Sequence, residues 1–470
     1  MTSRELALCS VISLVAACSS QPAAPPAPGS GSAVVYEGAR LIPGDGRAAV
    51  ENAALVVENG TITQVGPAGA ITAPAGSARV TLTGKTIMPA LIGAHGHVGY
   101  QKGLTFLREN YTHDNILDDL RRAAYFGLGT AMTMGIDSGD LVYRIRDETT
   151  AGAPGLARLR TAGQGIGGPN AGPGNTVYAR GVAFEVTTAD EGRAAVRQLA
   201  PHKPDMVKIW LDERGGRGMK LQPDVVGAIV DEAGRQGLKV AAHVRNHTDA
   251  EVAVGAGVYA LTHLARDRVM DAALIESIVA RGVYVTPTLS MAERNNYAGA
   301  VPEWVREPTL WKLLTDTVAP PVVERLEASF VERDPADAAR ARSAYTILHD
   351  TVARLHAAGA RIVLGGDTGL PDHFWGFAEQ RELELLVAAG LKPMDAIVAG
   401  TSRAAEFLQL RGVGTLAPGQ TADFVVLDGN PLEDIRRTRT VARLFLGGIE
   451  VDRAAIKAKL TGSSTVTAAP

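Results

Sequence analysis

The sequence predicts an α/β chain, a (β/α)8 TIM barrel carrying a small β-sandwich built from both chain ends. Three observations predict it. Short β-branched runs punctuated by turn residues crowd both ends, and between them eight apolar runs alternate with amphipathic stretches. At or inside those central runs stand four histidines, a lysine and an aspartate. With 470 residues, 46% of them hydrophobic and 21% charged, the chain can bury a core of that size.

Residues 1–18 read as an export signal. The apolar run 6–17 follows Arg4 and is shorter than the roughly 20 residues a membrane-spanning helix needs. Its end, Leu14-Val15-Ala16-Ala17-Cys18, resembles a bacterial lipobox, which implies lipidation of Cys18; the alternative reading is an ordinary secretory signal cut near the same small residues. The chain is therefore expected to be exported, periplasmic or otherwise extracytoplasmic, and to meet the membrane only through that N-terminal anchor. Cys9 and Cys18 are the 2 cysteines, so no disulfide is available beyond the leader. Residues 19–32 are Pro-, Gly- and Ser-rich and cannot bury apolar surface, which suits a tether.

The first part of the β-domain spans 33–88, with strands read at 33–36, 54–57, 60–65 and 78–82. Its second part spans 410–458, with strands at 423–427 and 441–446. The barrel occupies 89–409. Its strands are read at 91–97, 129–134, 156–162, 206–210, 238–244, 258–263, 283–289 and 361–367. One strand–helix unit shows the logic: after the fourth strand, Pro223 opens a helix carrying Val226, Ile229, Val230 and Ala233 on one face, and Gly237 stops it. Residues 291–339 form a long insertion after the seventh strand that would lie over the catalytic face as a lid. The helical spacing of 341–358 marks a core-facing helix, and 459–470 reads as a frayed tail.

Lys+Arg 47 against Asp+Glu 50 leaves a net charge of -3, so no basic footprint for nucleic acid exists. In a barrel, side chains at the C-terminal strand ends converge on one site. His95 and His97 close the first strand, at a spacing that points both rings the same way. Lys208 lies inside the fourth, His243 ends the fifth, His263 the sixth and Asp367 the eighth. A bare ammonium in an apolar strand costs several kcal/mol, so Lys208 is either paired, for example with Asp212, or converted by carbon dioxide to an anionic carbamate. The set points to metal. Substrate contacts are expected from Tyr178 and Arg180 after the third strand, Arg245 and His247 after the fifth, Thr288 at the seventh and His373 after the eighth. Either arginine could clamp a carboxylate. His113, His202, His349 and His356 fall on helices or their edges and read as structural. Glu382 and Glu384 stand at i, i+2 on a helix and read as a solvated face. Gly165-Ile166-Gly167-Gly168 lacks the Lys-Ser/Thr of a phosphate loop.

The run Thr86-Ile87-Met88-Pro89-Ala90-Leu91-Ile92-Gly93-Ala94-His95-Gly96-His97 and the closing run from Gly414 to Asp428 resemble the amidohydrolase superfamily, in its binuclear imidazolonepropionase-like and prolidase-like branch. The resemblance covers about 33–453. It implies two divalent metal ions, most simply zinc: His95, His97 and Asp367 on one, His243 and His263 on the other, and carboxylated Lys208 bridging them with a hydroxide. It implies Asp367 as the catalytic proton shuttle and a small amide, a dipeptide or N-acyl amino acid, as the substrate. Gly93 and Ala90 depart from the family's usual Asp and Gly. The same hydroxide would serve an ester, lactone or organophosphate, and a non-catalytic cell-surface scaffold is the reading from another class; a homo-oligomer is compatible with any of these.

Overall fold

The computed structural model describes residues 33–172, 176, 178–213 and 215–462. The export signal, Cys9, Cys18, the linker 19–32 and residues 463–470 lie outside the described residues. No described helix is long and apolar enough to cross a membrane.

Five strands from the N-terminal end, Val34–Leu41, Val50–Glu58, Thr61–Pro67, Ala78–Thr81 and Thr86–Pro89, combine with Phe424–Leu427, Val441–Leu446 and Ile449–Glu450 from the other end. Phe424–Leu427 runs antiparallel to Thr86–Pro89, which joins the two ends. Hydrogen bonds link all eight strands into one sheet that branches at Val34–Leu41, rather than into two separate sheets. An aromatic trio sits in its otherwise aliphatic core: Phe424 stacks on Phe445 at 4.5 Å between centroids, and Tyr36 meets both edge-on.

The central region is the expected barrel. Its strands are β1 Leu91–Gly96, β2 Leu128–Thr133, β3 Arg158–Thr161, β4 Val207–Trp210, β5 Val240–His243, β6 Ala260–Thr262, β7 Tyr284–Thr286 and β8 Arg361–Ile362. Parallel pairing runs from β1 through β3 and from β4 through β8. The Asp205 N–H donating to Thr161 C=O (2.8 Å) joins the two arcs, and the Ala94 N–H donating to Leu364 C=O (2.9 Å) closes the ring. β8 is shorter than the sequence suggests, but the chain beyond it stays against its neighbours: the Val363 N–H donates to Val285 C=O (2.8 Å) and the Asp367 N–H to His95 C=O (3.0 Å).

The helix after β4, Pro223–Arg235, starts on Pro223 and buries Val226, Ile229 and Ala233, and Gly237 takes a φ of 72° just beyond it. The insertion after β7 folds into its own short helices, among them Pro308–Thr315 and Pro320–Val331, with Val305, Leu310, Leu314 and Phe330 buried. That apolar anchoring makes it a packed subdomain; only Met291 and Asn295 at its start reach the central cavity. The core-facing helix spans Pro335–Ala357 and buries Leu348, Val352 and Leu355. At the C-terminal end the helix Arg453–Gly462 buries Ile456 and Leu460, so 459–462 belong to it and not to a tail.

Candidate metal and catalytic site

A cavity of about 450 Å³ opens at the C-terminal ends of the barrel strands, lined by His95, His97, Lys208, His243, His263 and Asp367. His95 and His243 stand at the ends of their strands, His97 and His263 one residue beyond theirs, Lys208 within β4, and Asp367 five residues past β8. Asp367 is the hub: its Oδ1 lies 3.1 Å from His97 Nε2 and 3.3 Å from His95 Nε2, and its Oδ2 lies 3.8 Å from His263 Nε2. The rings of His243 and His263 are 4.6 Å apart between centroids, and those of His95 and His263 4.8 Å. Nζ of Lys208 donates to Thr262 Oγ1, and Asp212 approaches His243 Nε2 at 3.5 Å.

The protein holds this cluster under tension. His263, Thr288 and Asp367 have φ values of 65°, 53° and 54°, in the left-handed region that residues with a Cβ rarely occupy. Two glycines make room for it. A Cβ on Gly135 would lie 2.7 Å from Lys208 Cγ, and one on Gly369 1.7 Å from the His97 carbonyl oxygen.

Burial, helped by the nearby Lys208, pushes His95 down to about 3, and burial also drives His263 well below the usual imidazole range. Burial alone would raise the Asp367 carboxyl, but His263 and the contacts from His95 and His97 hold it well below the usual carboxylate range. A lowered pKa at His95 and His263 and a lowered one at Asp367 both favour the forms that bind a cation. The donor atoms fit a cation: those of His95, His97 and Asp367 all lie within 4.8 Å of one another, and all three residues are buried. Nδ1 of His95 and Nδ1 of His97 have no hydrogen-bond partner, and Nε2 of His95 is out of hydrogen-bonding geometry despite its nearness to Asp367.

Of the residues expected to touch substrate, Tyr178 and Arg245 line the cavity. The other four do not. Thr288 is fully buried behind His263, its Oγ1 2.6 Å from the ring Nδ1, so it orients that ring. His373 is buried with Nε2 2.8 Å from the Gly366 carbonyl, which braces the turn carrying Asp367. His247 opens the helix His247–Gly255, buried, with Nδ1 accepting from Arg268 (3.1 Å). Arg180 is exposed away from the cavity.

Sequence reasoning passed over Arg217, Arg266, Trp210, Ile136, Met291 and Asn295, which also line the cavity. Their position in the loops and strand ends around the barrel mouth was the available signal. It also misread Glu382 and Glu384. Glu382 is fully buried, accepting from the backbone N–H groups of Leu289 (2.9 Å) and Ser290 (2.6 Å), while Glu384 pairs with Arg381 and Arg439. Their helix, Phe377–Ala388, is enclosed on nearly every side, so it has no solvated face at that point. Beneath the site Trp375 donates from Nε1 to the His97 carbonyl (2.7 Å), and Glu379 accepts from Thr368 Oγ1 (2.7 Å) and from the Gly376 N–H (2.7 Å).

Residues 86–451 match the amidohydrolase family. The chain belongs to that family. Over 86 residues it is 42% identical to the imidazolonepropionase of Deinococcus deserti, a match that spans 18% of this chain and 21% of that protein. A Xaa-Pro dipeptidase structure with methionine in its active site superimposes with a TM-score of 0.71 at 23% identity, over 89% of this chain and 99% of the other. The structure of phenylurea hydrolase B does so with a TM-score of 0.71 at 23% identity, over 93% and 100%. At those identities the likeness is one of fold. This amidohydrolase carries a cluster at His95, His97 and Asp367 that can hold a divalent cation.

Proposed function

We propose that this amidohydrolase cleaves a small amide, a dipeptide or an N-acyl amino acid, using two divalent metal ions. The observation that carries the reading is the convergence of His95, His97 and Asp367 on one buried point, in a cavity that His243, His263 and Lys208 also line. The Xaa-Pro dipeptidase fold match supports a peptide-like substrate. Held by His95, His97 and Asp367 on one side and His243 and His263 on the other, with Lys208 as its carbamate between, two zinc ions would make water nucleophilic near neutrality and polarise the scissile carbonyl. The remaining work belongs to side chains. Asp367 takes the proton from the attacking water and delivers it to the leaving amine; the C–N bond breaks, the acyl carbon keeps the hydroxyl oxygen and the amine leaves neutral. Thr288 and Trp375 keep the rings and the backbone beneath them in register for that transfer.

The test is a hydrolysis panel on zinc-loaded protein: dipeptides and N-acyl amino acids against esters, lactones and organophosphates. Turnover of amides is expected; ester turnover with none on amides would reverse the assignment. Lys208→Ala should abolish turnover and lower metal content with the barrel still folded, and full activity without added short carboxylic acids would contradict the bridging carbamate. Retention of every ligand position speaks against a non-catalytic scaffold. We also propose that the protein is exported and anchored through Cys18. Incorporation of a labelled fatty acid, lost in Cys18→Ser, tests this, and label retained in that variant would refute it.

A further inference from the structure

The walls of the catalytic cavity differ in chemistry. Ile136, Tyr178 and Trp210, from the segments at and after β2, β3 and β4, form an apolar and aromatic side; Ile136 and Trp210 belong to one buried cluster against which Tyr178 packs. Arg217, Arg245 and Arg266 also line the cavity. These three come from the loops after β4, β5 and β6, which are hydrogen-bonded neighbours in the barrel, so their loops stand side by side at its mouth. The Arg266 N–H donates to the Arg245 carbonyl at 2.8 Å, tying two of the segments together.

One guanidinium satisfies one carboxylate through two parallel N–H···O bonds. Three of them in one sector of a concave site exceed what a single terminal carboxylate uses, and their summed field concentrates polyanions there. Resting on the amide-hydrolase reading above, we infer that the leaving amine is an acidic amino acid: the cavity takes amides of aspartate or glutamate, both carboxylates toward Arg217, Arg245 and Arg266, and an apolar acyl part against Trp210 and Tyr178. Arg217 and Arg266 are then specificity-determining residues.

The experiment pairs isosteric substrates on the full-length, zinc-loaded protein: Leu-Glu against Leu-Gln and Leu-Asp against Leu-Asn. A preference for the acid of about tenfold or more in kcat/KM, carried by KM and shrinking as salt rises, is expected from charge-assisted contacts in a partly dry site. Arg217→Met and Arg266→Met should each lower the Glu/Gln ratio, an effect that a merely structural role for these residues would not produce. Calorimetry with free L-glutamate and L-glutamine reads the same selection without catalysis. Equal kcat/KM for acid and amide, or a ratio untouched in both variants, overturns the inference while leaving the amide-hydrolase reading intact. Glutamate binding in preference to glutamine with no dipeptide cleaved leaves the anion sector standing and removes the hydrolase reading.

Discussion

Replacing Glu382 tests how the end of β7 is held over the site. Its carboxylate is fully buried and accepts from two backbone N–H groups, those of Leu289 at 2.9 Å and Ser290 at 2.6 Å. Those residues directly follow Thr288, which sets the ring of His263. Glu382→Ala leaves two buried donors without a partner, at about 1–3 kcal/mol each, or about 2–6 kcal/mol together. For a chain of 470 residues the unfolding entropy is roughly 1 kcal/mol per kelvin near the midpoint, so a melting drop of about 2–6 °C follows. Glu382→Gln keeps one acceptor and turns an NH2 toward the other donor, so its drop should be about half as large. Burial pushes the Glu382 carboxyl up to about 7, against an ordinary value of 4.5. The folded protein therefore holds this proton more tightly than the unfolded chain, and its contribution to stability is lost as pH rises from 4.5 through 7. Glu382→Gln removes that titration and should flatten the stability profile across the window. Thermal melts of the three proteins between pH 5 and pH 8, with kcat measured alongside, provide the assay. An alanine variant melting within about 1 °C of the parent, with unchanged kcat, would refute the clamp.

Three further outcomes follow from the same geometry. Asp367→Asn removes the carboxylate that faces three histidines within 3.8 Å, and should cost at least the 10²–10⁴-fold typical of a lost proton shuttle, read in kcat, together with metal content. Gly93→Asp, which restores the residue the family usually has, should destabilise by about 1–3 kcal/mol or more, because its Cβ would lie 3.0 Å from Leu128 Cδ2 and 3.1 Å from the Trp375 ring; a melting point equal to the parent's would contradict this packing. Arg381→Met strands the buried Glu293 carboxylate, now held at 2.8 Å by Arg381 Nε, and should cost about 3–5 kcal/mol in denaturant unfolding.

The barrel and the cluster at its floor were legible because both follow a period. Apolar strands recur with helices between them, and His243, His263 and the His95/His97 pair close such strands. Strand ends in a barrel must meet, so sequence position was enough to bring them together. Asp367 was legible although β8 ends five residues earlier, because the apolar run continues to it. What remained hidden depends on contacts with no periodic trace. Thr288 and His373 stood where substrate contacts were expected, yet one bonds a ring nitrogen and the other a carbonyl, which only the packed structure decides. Glu382 and Glu384 followed the rule for neighbours on an exposed helix, but Phe377–Ala388 packs against the helices Leu289–Glu293 and Pro308–Thr315, the turn Ile435–Arg439 and the helix Pro393–Ala399, so its acids turn inward to backbone donors and arginines. Arg217 and Arg266 lie on loops whose path no hydrophobic pattern specifies. Gly93 departs from the resemblance for a visible reason: Leu128 and Trp375 crowd the space a side chain there would take.

Metal stoichiometry tests the account most directly. The full chain, purified with zinc present and freed of loosely held ions, should carry close to two zinc ions. Chelation should remove them together with amide hydrolysis, and added zinc should restore both. Substituting His97, whose Nε2 sits 3.1 Å from Asp367, should lower the count. A protein that hydrolyses amides at full rate with no bound metal, or that binds none under zinc-replete conditions, would contradict the account.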